Sequence, residues 1–339
     1  MTRETIDLIL TDFVFFGVFP LLLGSRQNRP PIISVSVSPI VLSSDDASPF
    51  GPVITSEEKE RNREETTKFQ AGLAPGQEYL NDLLHDYGCR SLPGFILDCI
   101  YTLPDLVLQL SVDALEFPRT DMPDHIKFVG PVLPKASPNF HLPEWWNELD
   151  GSKPVVLVTQ GTAANTDLNE LIRPTLEGLS NEDVIVVAAT GRPVDELTTP
   201  VLANAKVISF IPFLEVLPKV DLFVTNGGYG GVNQALSMGV PLVVAGDTED
   251  KAFVASRVAW TGAGISLGTS RPTSREVRSA VCEVLRDQTY RHHARRLQNR
   301  FADYDTLDHI TGYVESFLKG AKRVLSQQNP TRLNEPSYQ

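Results

Sequence analysis

Runs of Val, Ile and Leu recur along the chain and alternate with stretches that have helical periodicity. In the first part of the chain, strands are predicted at residues 6–12, 31–37, 105–110 and 126–130. Later the alternation becomes regular, with strands predicted at 154–159, 183–190, 206–210, 221–225 and 241–245 and helices at 167–179 and 231–238. Near-continuous apolar strands separated by helices predict parallel sheets that are covered on both faces.

Polar residues mark where two helices begin. Thr55 and Glu58 have capping-box spacing and open a charged stretch, which we expect to be a solvated helix that ends at Pro75-Gly76. Thr273 and Glu276 form a second capping box in front of REVRSAVCEVLRD. Both pairs therefore predict helix starts to within one residue.

The composition of the chain changes between Pro131 and Lys153, where Pro, Lys, Asn and Trp replace the regular pattern. We predict an inter-domain linker at this position, because boundaries between domains fall in such stretches. The 339 residues are sufficient for two units with their own cores. The predicted organisation is a first α/β unit at 1–130, a linker at 131–152, a second α/β unit at 153–322 and a tail at 323–339.

The charge of the chain limits its partners. A formal net charge of -12 and an isoelectric point near 5.0 argue against general attraction to nucleic acid or to an anionic membrane, because the protein would repel phosphate groups. The apolar stretch from Ile6 to Leu23 is interrupted by Asp7, Asp12 and Pro20, so we predict no stable membrane span. An anionic ligand would therefore need a local binding device.

Cysteine usage gives a prediction about the compartment. Cys89, Cys99 and Cys282 are the cysteines of the chain, an odd number without CxxC spacing. This pattern predicts neither a disulfide framework nor a thiolate zinc site, and it favours a reducing, cytoplasmic location.

The stretch TNGGYGGVNQALSMGVPLVV, residues 225–244, places glycines at 227, 228, 230 and 231 between a predicted strand and a predicted helix. Backbone N–H groups at a helix amino terminus bind phosphate, and glycine lets an anion approach the backbone closely. The glycines would alternatively serve tight helix–sheet packing. A dinucleotide site is a further alternative, since acidic residues follow at 247–250, but GGxGG lacks the third glycine of GxGxxG.

Together with the strand LFVT, the stretch ALSMGVPLVV and the acidic DTEDK, these glycines make the segment Phe210–Lys251 resemble the nucleotide-sugar signature of the UDP-glycosyltransferases. These enzymes form glycosyltransferase family 1, and the resemblance is greatest to its macrolide-type and fungal subgroup. It implies the GT-B fold, in which two Rossmann-like, doubly wound parallel-sheet domains face each other across a cleft. The first domain, incomplete here, is expected to hold the acceptor and the second the sugar nucleotide.

The resemblance also implies an activity, which is the transfer of a hexose from a UDP-sugar to a hydroxyl of a small apolar acceptor. The UDP-sugar acts as a co-substrate, and no cofactor or metal is expected. Two alternatives stay open at this point. One is a non-catalytic relative that binds nucleotide sugars, and the other is an NAD-dependent oxidoreductase that uses the same glycines.

Donor-binding residues follow from the resemblance position by position. Asn226 stands where the family usually has a histidine that contacts the diphosphate, and an Asn amide still donates to a phosphate oxygen without carrying a charge. Gln234 stands where a glutamate binds the ribose, so weaker ribose binding is expected. The remaining positions are Phe210 and Pro212 beside the uracil, and Gly228, Tyr229, Gly230 and Gly231 at the phosphates.

Two further motifs are expected at the cleft, one near the sugar and one near the phosphate or the sugar. Asp250 and Lys251 align with an Asp-Gln pair that holds sugar hydroxyls, and the Lys leaves the identity of the sugar open. The alternative for DTEDK is a capped helix start at Thr248 or Asp247. The turn TQGTA, with Gly161 and Thr162, resembles the family's Ser-x-Gly-Thr turn, although a plain strand-to-helix turn would look similar.

The expected catalytic base has no counterpart in this chain. The family uses a histidine near the start of the first domain and an aspartate that orients it. The chain opens with what resembles a middle strand of that domain, so the first strands and the histidine turn are expected to be absent. Asp12 occupies roughly the place of the orienting carboxylate, with a simple strand-end residue as the alternative. The six histidines lie outside any family motif.

Overall fold

The computed structural model describes residues 6–134, 140–162, 165–197 and 202–327. In these ranges, the first sheet has four parallel strands in the order β1-β2-β5-β6. The strand β1 lies at the edge of the sheet, and its residues alternate between half-buried and exposed, whereas every residue of β5 is buried. The strands are β1 (Ile9–Asp12), β2 (Ile32–Ser36), β5 (Leu106–Gln109) and β6 (Ile126–Phe128).

Helices and a small hairpin connect the strands of the first sheet. A short helix, α1 (Phe19–Leu22), follows β1, and β2 leads into the antiparallel hairpin of β3 (Ala47–Ser48) and β4 (Gly51–Pro52). Next come α2 (Ser56–Asp86) and α3 (Ile96–Thr102). Their buried side chains pack with those of α1 against one face of the sheet and include Phe19, Leu84, Ile100 and Tyr101.

The helix α2 confirms one prediction and corrects another. Thr55 and Glu58 form the predicted capping box at its start. The predicted end at Pro75-Gly76 is wrong, because α2 continues through Pro75 to Asp86. Proline removes one backbone hydrogen bond. Tertiary contacts hold the second half in place, since Gln77 and Asn81 accept hydrogen bonds from the backbone amides of Ile96 and Leu92.

In the described residues the second sheet has six parallel strands in the order β9-β8-β7-β10-β11-β12. This is the strand order of a doubly wound sheet, and the direction of winding reverses between β7 and β10. The strand β12 had not been predicted, since three residues carry little pattern. The strands are β7 (Val155–Thr159), β8 (Ile185–Ala189), β9 (Ala205–Ile208), β10 (Leu222–Thr225), β11 (Leu242–Val244) and β12 (Gly264–Ser266).

Helices cover both faces of the second sheet. On one face α4 (Ile172–Leu179) packs beside α8 (Ser274–Arg286), and α8 begins at the predicted Thr273–Glu276 capping box. The other face carries α6 (Tyr229–Ser237), α7 (Lys251–Trp260) and α9 (Gln288–Ala302). The short helix α5 (Phe213–Val216) precedes β10. The regular alternation in the sequence therefore predicted the fold of this unit correctly.

The chain crosses between the two sheets twice, and the crossing points lie side by side. The hydroxyl of Thr306 donates to the carbonyl of Pro131 at 2.9 Å, and a Cβ on Gly130 would lie 2.6 Å from Cβ of Tyr304. The last helix, α10 (Thr306–Gln327), returns to the first sheet, where Ile310, Tyr313, Val314 and Phe317 pack against its second face. The predicted second unit, 153–322, thus contains a helix that covers the first sheet.

The predicted tail is only partly described, because residues 328–339 lie outside the described ranges. Among the helices that the structure describes, none has both the length and the apolar character that crossing a membrane requires.

Candidate active site

The crevice at the reversal of the second sheet brings together the carboxyl ends of β7, β10 and β11. The three strands pair in register in the order β7, β10, β11. Thr225 at the end of β10 therefore lies between Thr159 of β7 and Val244 of β11. Ligands of doubly wound sheets bind outside the strand ends at this point. Among the described helices, α4, α6 and α7 start near this edge. The first two follow β7 and β10, the strands on either side of the reversal, so their amino termini are the candidate anion sites.

The amino terminus of α4 is occupied by a side chain of the chain itself. Gln160 is only 1% exposed, and its Oε1 accepts hydrogen bonds from the backbone amides of Leu171 at 3.1 Å and Ile172 at 3.0 Å. Its Nε2 donates to the carbonyl of Asp167 at 2.9 Å. These bonds explain why α4 begins five residues later than the predicted 167. They also satisfy the amides that an anion would otherwise contact.

The amino terminus of α6 has the opposite character. The helix begins at Tyr229, two residues before the predicted start, and its N-cap residue Gly228 makes no side-chain capping bond. Its first-turn amides and the positive end of its dipole are therefore directed at the crevice. Of the two helices, α6 is the one suited to hold a phosphate group.

The individual glycines of this turn have different physical roles. Gly227 has φ +89°, and a Cβ there would lie 2.8 Å from Cγ1 of Val244, so the fold itself requires glycine. A Cβ on Gly228 would come no closer than 4.0 Å to another residue, and on Gly230 it would meet no atom within 4 Å. Tight packing thus explains Gly227 but neither Gly228 nor Gly230. Open space in front of a helix terminus is what the approach of a ligand to the backbone requires.

Asn226 links the two loops that flank the reversal. Its side-chain Nδ2 donates to the carbonyl of Gln160 at 2.5 Å. Gly161, which follows in the β7 loop, has φ +73° and leaves space beside Asn226 Oδ1. Thr162 is exposed, and the next two residues lie outside the described ranges. The predicted positions 161, 162 and 226 are therefore adjacent, at the edge where α6 begins.

A cavity of about 250 Å³ lies beside this turn and extends to the start of α7. Lys251 lines it, with a side chain that is 7% exposed, and its Nζ contacts Thr248 Oγ1 at 3.1 Å and the exposed carboxylate of Glu249 at 2.5 Å. Neither Thr248 nor Asp247 caps α7, because the N-cap residue is Asp250, without a side-chain capping bond. The cavity is lined by Gln160, Thr166, Glu170, Leu171, Asn226, Ala245, Gly246, Thr248, Glu249, Lys251 and Ser270.

The residues expected near the uridine occupy the other side of α6. Phe210 follows β9 and is 62% exposed, an unusual state for a large aromatic ring. Pro212 is the N-cap residue of α5. Gln234 lies one turn after Gly230 on the same face of α6, and its Nε2 donates to the Gly230 carbonyl at 3.3 Å. Gly231 lies between these groups and the sheet, at ordinary contact distance from Phe213.

The side chain of Tyr229 points away from this surface, and the prediction for this position concerns its backbone, which the phosphates would approach. It is buried, and its hydroxyl accepts a hydrogen bond from Gln109 Nε2 of the first sheet at 3.2 Å. Burial raises the pKa of the Tyr229 hydroxyl far above its usual range. On the same face of α6, Asn233 Oδ1 accepts from Ser111 Oγ at 2.7 Å. Only the backbone amide of Tyr229 remains as a candidate phosphate ligand.

Gln109 and Ser111 of the first unit were not predicted as site residues from the sequence. The signal was present, since both are polar residues at the end of a buried apolar strand, where side chains face the carboxyl edge. Their contacts with Tyr229 and Asn233 show that the carboxyl edges of the two sheets face each other.

Asp12 lies at the carboxyl end of β1, on the same edge of the first sheet. It is exposed, and its Oδ1 accepts a hydrogen bond from the amide of Val14 at 2.9 Å. A hydrogen bond from the amide two residues further on is the contact expected of an aspartate at the end of a strand. All six histidines are among the described residues, and none hydrogen-bonds to Asp12. Within the described ranges, no three His, Cys, Asp or Glu side chains converge as a metal site would require.

The geometry therefore defines a class of protein with two facing α/β units and a candidate anion site on the second. Comparison with known proteins gives the family. A family model described as "Erythromycin biosynthesis protein CIII-like, C-terminal domain" matches residues 173–314. The chain is 39% identical to the 4'-demethylrebeccamycin synthase of Lentzea aerocolonigenes over 92% of this chain and 74% of that protein. It is 34% identical to UDP-glycosyltransferase 2 of Phaeomoniella chlamydospora over 95% of this chain and 73% of that protein.

Solved structures agree with this similarity at the level of the fold. The glycosyltransferase of kitacinnamycin matches 93% of this chain and 77% of its own, with a TM-score of 0.72 and 23% identity. The calicheamicin glycosyltransferase CalG4 matches 92% of this chain and 73% of its own, with a TM-score of 0.69 and 24% identity. The chain has the GT-B fold and belongs to the UDP-glycosyltransferases, enzymes that transfer a glycosyl group from a nucleotide sugar. The predicted GT-B fold class is thereby confirmed, as is the predicted transfer of a glycosyl group from a nucleotide sugar.

Proposed function

We propose that this chain binds a UDP-sugar at the crevice of its second sheet and transfers the hexose to a hydroxyl of a small apolar molecule. The observation that carries the proposal is the open space at Gly228 and Gly230 in front of the uncapped amino terminus of α6. Several relatives support the donor class, since they are named UDP-glucosyltransferases, among them one from Aspergillus versicolor and one from Beauveria bassiana.

The proposed roles of the donor-site residues follow from their positions. The amides of Gly228, Tyr229, Gly230 and Gly231 receive the diphosphate, and they stabilise the negative charge that grows on it as the sugar bond breaks. Phe210 provides an exposed ring, and Pro212 lies beside it, for the uracil. Gln234 serves the ribose. Asn226, Gly161 and Thr162 border the diphosphate, while Asp250 and Lys251 border the sugar.

The acceptor hydroxyl must lose a proton when its oxygen attacks the anomeric carbon. We propose Asp12 as a carboxylate that orients the deprotonating group, because it lies on the carboxyl edge of the first sheet. No histidine of this chain reaches Asp12, so the base itself is assigned to no residue here. Two alternatives, a non-catalytic relative and an NAD-dependent oxidoreductase, are not favoured by the family to which the chain belongs.

We further propose that transfer is independent of metal ions. Backbone amides at α6 supply charge stabilisation to the leaving diphosphate, which removes the need for a bridging cation. Activity should persist after addition of a chelator such as EDTA, and a loss that added magnesium or manganese restores would refute this proposal.

The three free cysteines support a reducing location, and we propose that the enzyme works in the cytoplasm. Cell fractionation checks this, since recovery of the protein with membranes or in the medium would contradict it.

Calorimetric titration of the chain with UDP, UDP-glucose, thymidine diphosphate and NADH tests the donor site directly. We expect binding of the uridine ligands, weaker or no binding of thymidine diphosphate, and none of NADH. Release of UDP in the presence of a hydroxylated aromatic acceptor then measures transfer. Preference for NADH would overturn the proposal, as would a failure of both uridine ligands to bind to correctly folded protein.

A further inference from the structure

The segment at the end of β2, residues 36–40, accepts and donates hydrogen bonds to both units. Within the first unit, Gln109 Nε2 donates to the carbonyl of Ser38 at 2.8 Å, and the amide of Ile40 donates to Glu116 Oε1 at 3.1 Å. From the second unit, Arg257 of α7 donates to the carbonyl of Ile40 at 2.7 Å. The backbone of this segment therefore has a fixed position relative to α7.

One side chain of this segment reaches the sugar side of the candidate site. Ser38 Oγ donates a hydrogen bond to Asp250 Oδ2 at 2.8 Å, which joins residues 212 positions apart in the sequence. Asp250 is half-buried and is the N-cap residue of α7. A carboxylate has roughly four acceptor positions. Ser38 uses one of them, so the remaining positions can accept hydrogen bonds from a sugar.

We propose that Ser38 is a positioning residue of the donor-sugar subsite, which fixes the carboxylate of Asp250 in the orientation that receives the sugar hydroxyls. This inference rests on the proposed function, in which Asp250 borders the sugar. Recognition of the sugar then depends on a residue of the first unit, although the nucleotide is bound by the second. The contact between the two units thereby completes the sugar subsite.

UDP gives a way to isolate this effect, because it lacks the donor hexose that the proposal places beside Asp250. In the full chain, Ser38→Ala should raise the dissociation constant of UDP-glucose about fivefold to tenfold, which is within the range of the net contribution of one ordinary hydrogen bond. The dissociation constant of UDP should change less than about twofold. Ser38→Thr retains the hydroxyl and should restore most of the affinity for UDP-glucose.

A matched control lies in the same segment. Ser36 is buried, and its hydroxyl donates to the carbonyl of Ser38 without touching Asp250. Ser36→Ala should therefore lower thermal stability but leave the ratio of the two dissociation constants unchanged. In a double-mutant cycle, Ser38→Ala should add little to the effect of Asp250→Asn, since both substitutions act on the same contact.

The outcomes separate this inference from the proposed function. If Ser38→Ala weakens the binding of UDP and of UDP-glucose equally, or leaves both unchanged, Ser38 has no specific role at the sugar and the inference is wrong. Additive effects of Ser38→Ala and Asp250→Asn would refute it too. If the unmodified chain is folded but binds neither ligand, the proposed function itself fails.

Discussion

Glu116 and Arg257 form an ion pair with 2.6 Å between Oε2 and Nε, although the residues are 141 positions apart and both side chains are almost fully buried. Arg257 also donates to the carbonyls of Ile40 and Pro49, and its guanidinium lies 4.6 Å from the centre of the Phe117 ring. The pair connects α7 of the second unit to the segment that follows β5 in the first. It is therefore a central part of the contact between the two units.

Glu116→Ala should lower the free energy of unfolding by about 3–5 kcal/mol, because it leaves the buried guanidinium of Arg257 without its counter-charge. Chemical denaturation measures the change. The matched control is Glu315→Ala, which breaks the exposed pair with Lys319 and should cost about 0–1 kcal/mol. Similar small losses for both variants would contradict the structural role of the buried pair.

Gly230→Ala should affect stability and donor binding in opposite directions. Nothing in the protein lies within 4 Å of the added Cβ, and alanine favours a helix by up to about 1 kcal/mol over glycine. The melting temperature should therefore stay the same or rise. The methyl group would occupy space that the proposal gives to the diphosphate, so KM for the UDP-sugar should rise about tenfold or more.

Two other glycines serve as controls for this experiment. Gly312 of α10 also has open space around its Cβ position, and Gly312→Ala should raise stability without changing KM. Gly227→Ala should destabilise the protein by more than 1 kcal/mol, because of its positive φ and its contact with Val244. An unchanged KM in Gly230→Ala would argue against phosphate binding at this turn.

Gln160→Leu should destabilise the protein by about 3 kcal/mol or more, because it leaves two buried amides of the α4 start, those of Leu171 and Ile172, unsatisfied. Gln234→Leu is the comparison, since its side chain makes only a 3.3 Å bond at the surface of α6. That variant should be nearly as stable as the unmodified protein but bind UDP more weakly. Thermal denaturation and calorimetry distinguish the two results.

The capping box of α8 should contribute to the acid sensitivity of the fold. Glu276 accepts hydrogen bonds from the backbone amide and the hydroxyl of Thr273, both at 2.7 Å. The hydrogen bond from the backbone amide is the main reason why the pKa of the Glu276 carboxyl lies below its usual range. A carboxyl with a depressed folded-state pKa contributes stability above its unfolded pKa of about 4.3, and this contribution is lost as the pH falls through the folded value.

Glu276→Gln retains the geometry of the box without a titrating group. Melting temperatures measured between pH 5 and pH 3 should therefore fall less steeply in this variant than in the unmodified protein. Identical pH profiles would show that the box contributes nothing to acid denaturation.

The sequence predicted the second unit well because its strands are buried on both faces and its helices alternate with them. The strands from β7 to β11 lie where the apolar runs placed them, and both capping boxes mark real helix starts. Predictions failed where tertiary contacts decide the local structure. Gln77 and Asn81 hold α2 past Pro75, and Gln160 delays the start of α4, yet neither effect is visible from local patterns.

The candidate site was predictable on one unit only. Glycines and the family signature pointed to α6 and to the start of α7, because these features are contiguous in the sequence. Ser38, Gln109 and Glu116 reach the same region from the first sheet, through contacts that span more than 100 positions. Such contacts depend on how the two sheets face each other, which a single sequence does not reveal.

The return of α10 to the first sheet has a consequence for biosynthesis. Ile33, Leu106 and Leu108 of the first sheet, with Val129 directly after β6, are buried beneath Ile310, Tyr313, Val314 and Phe317. A ribosome completes that sheet well before it adds α10, so one apolar face stays uncovered while the whole second unit is synthesised. The first unit therefore completes its core only after α10, which lies far along the chain from the strands that it covers, has been translated.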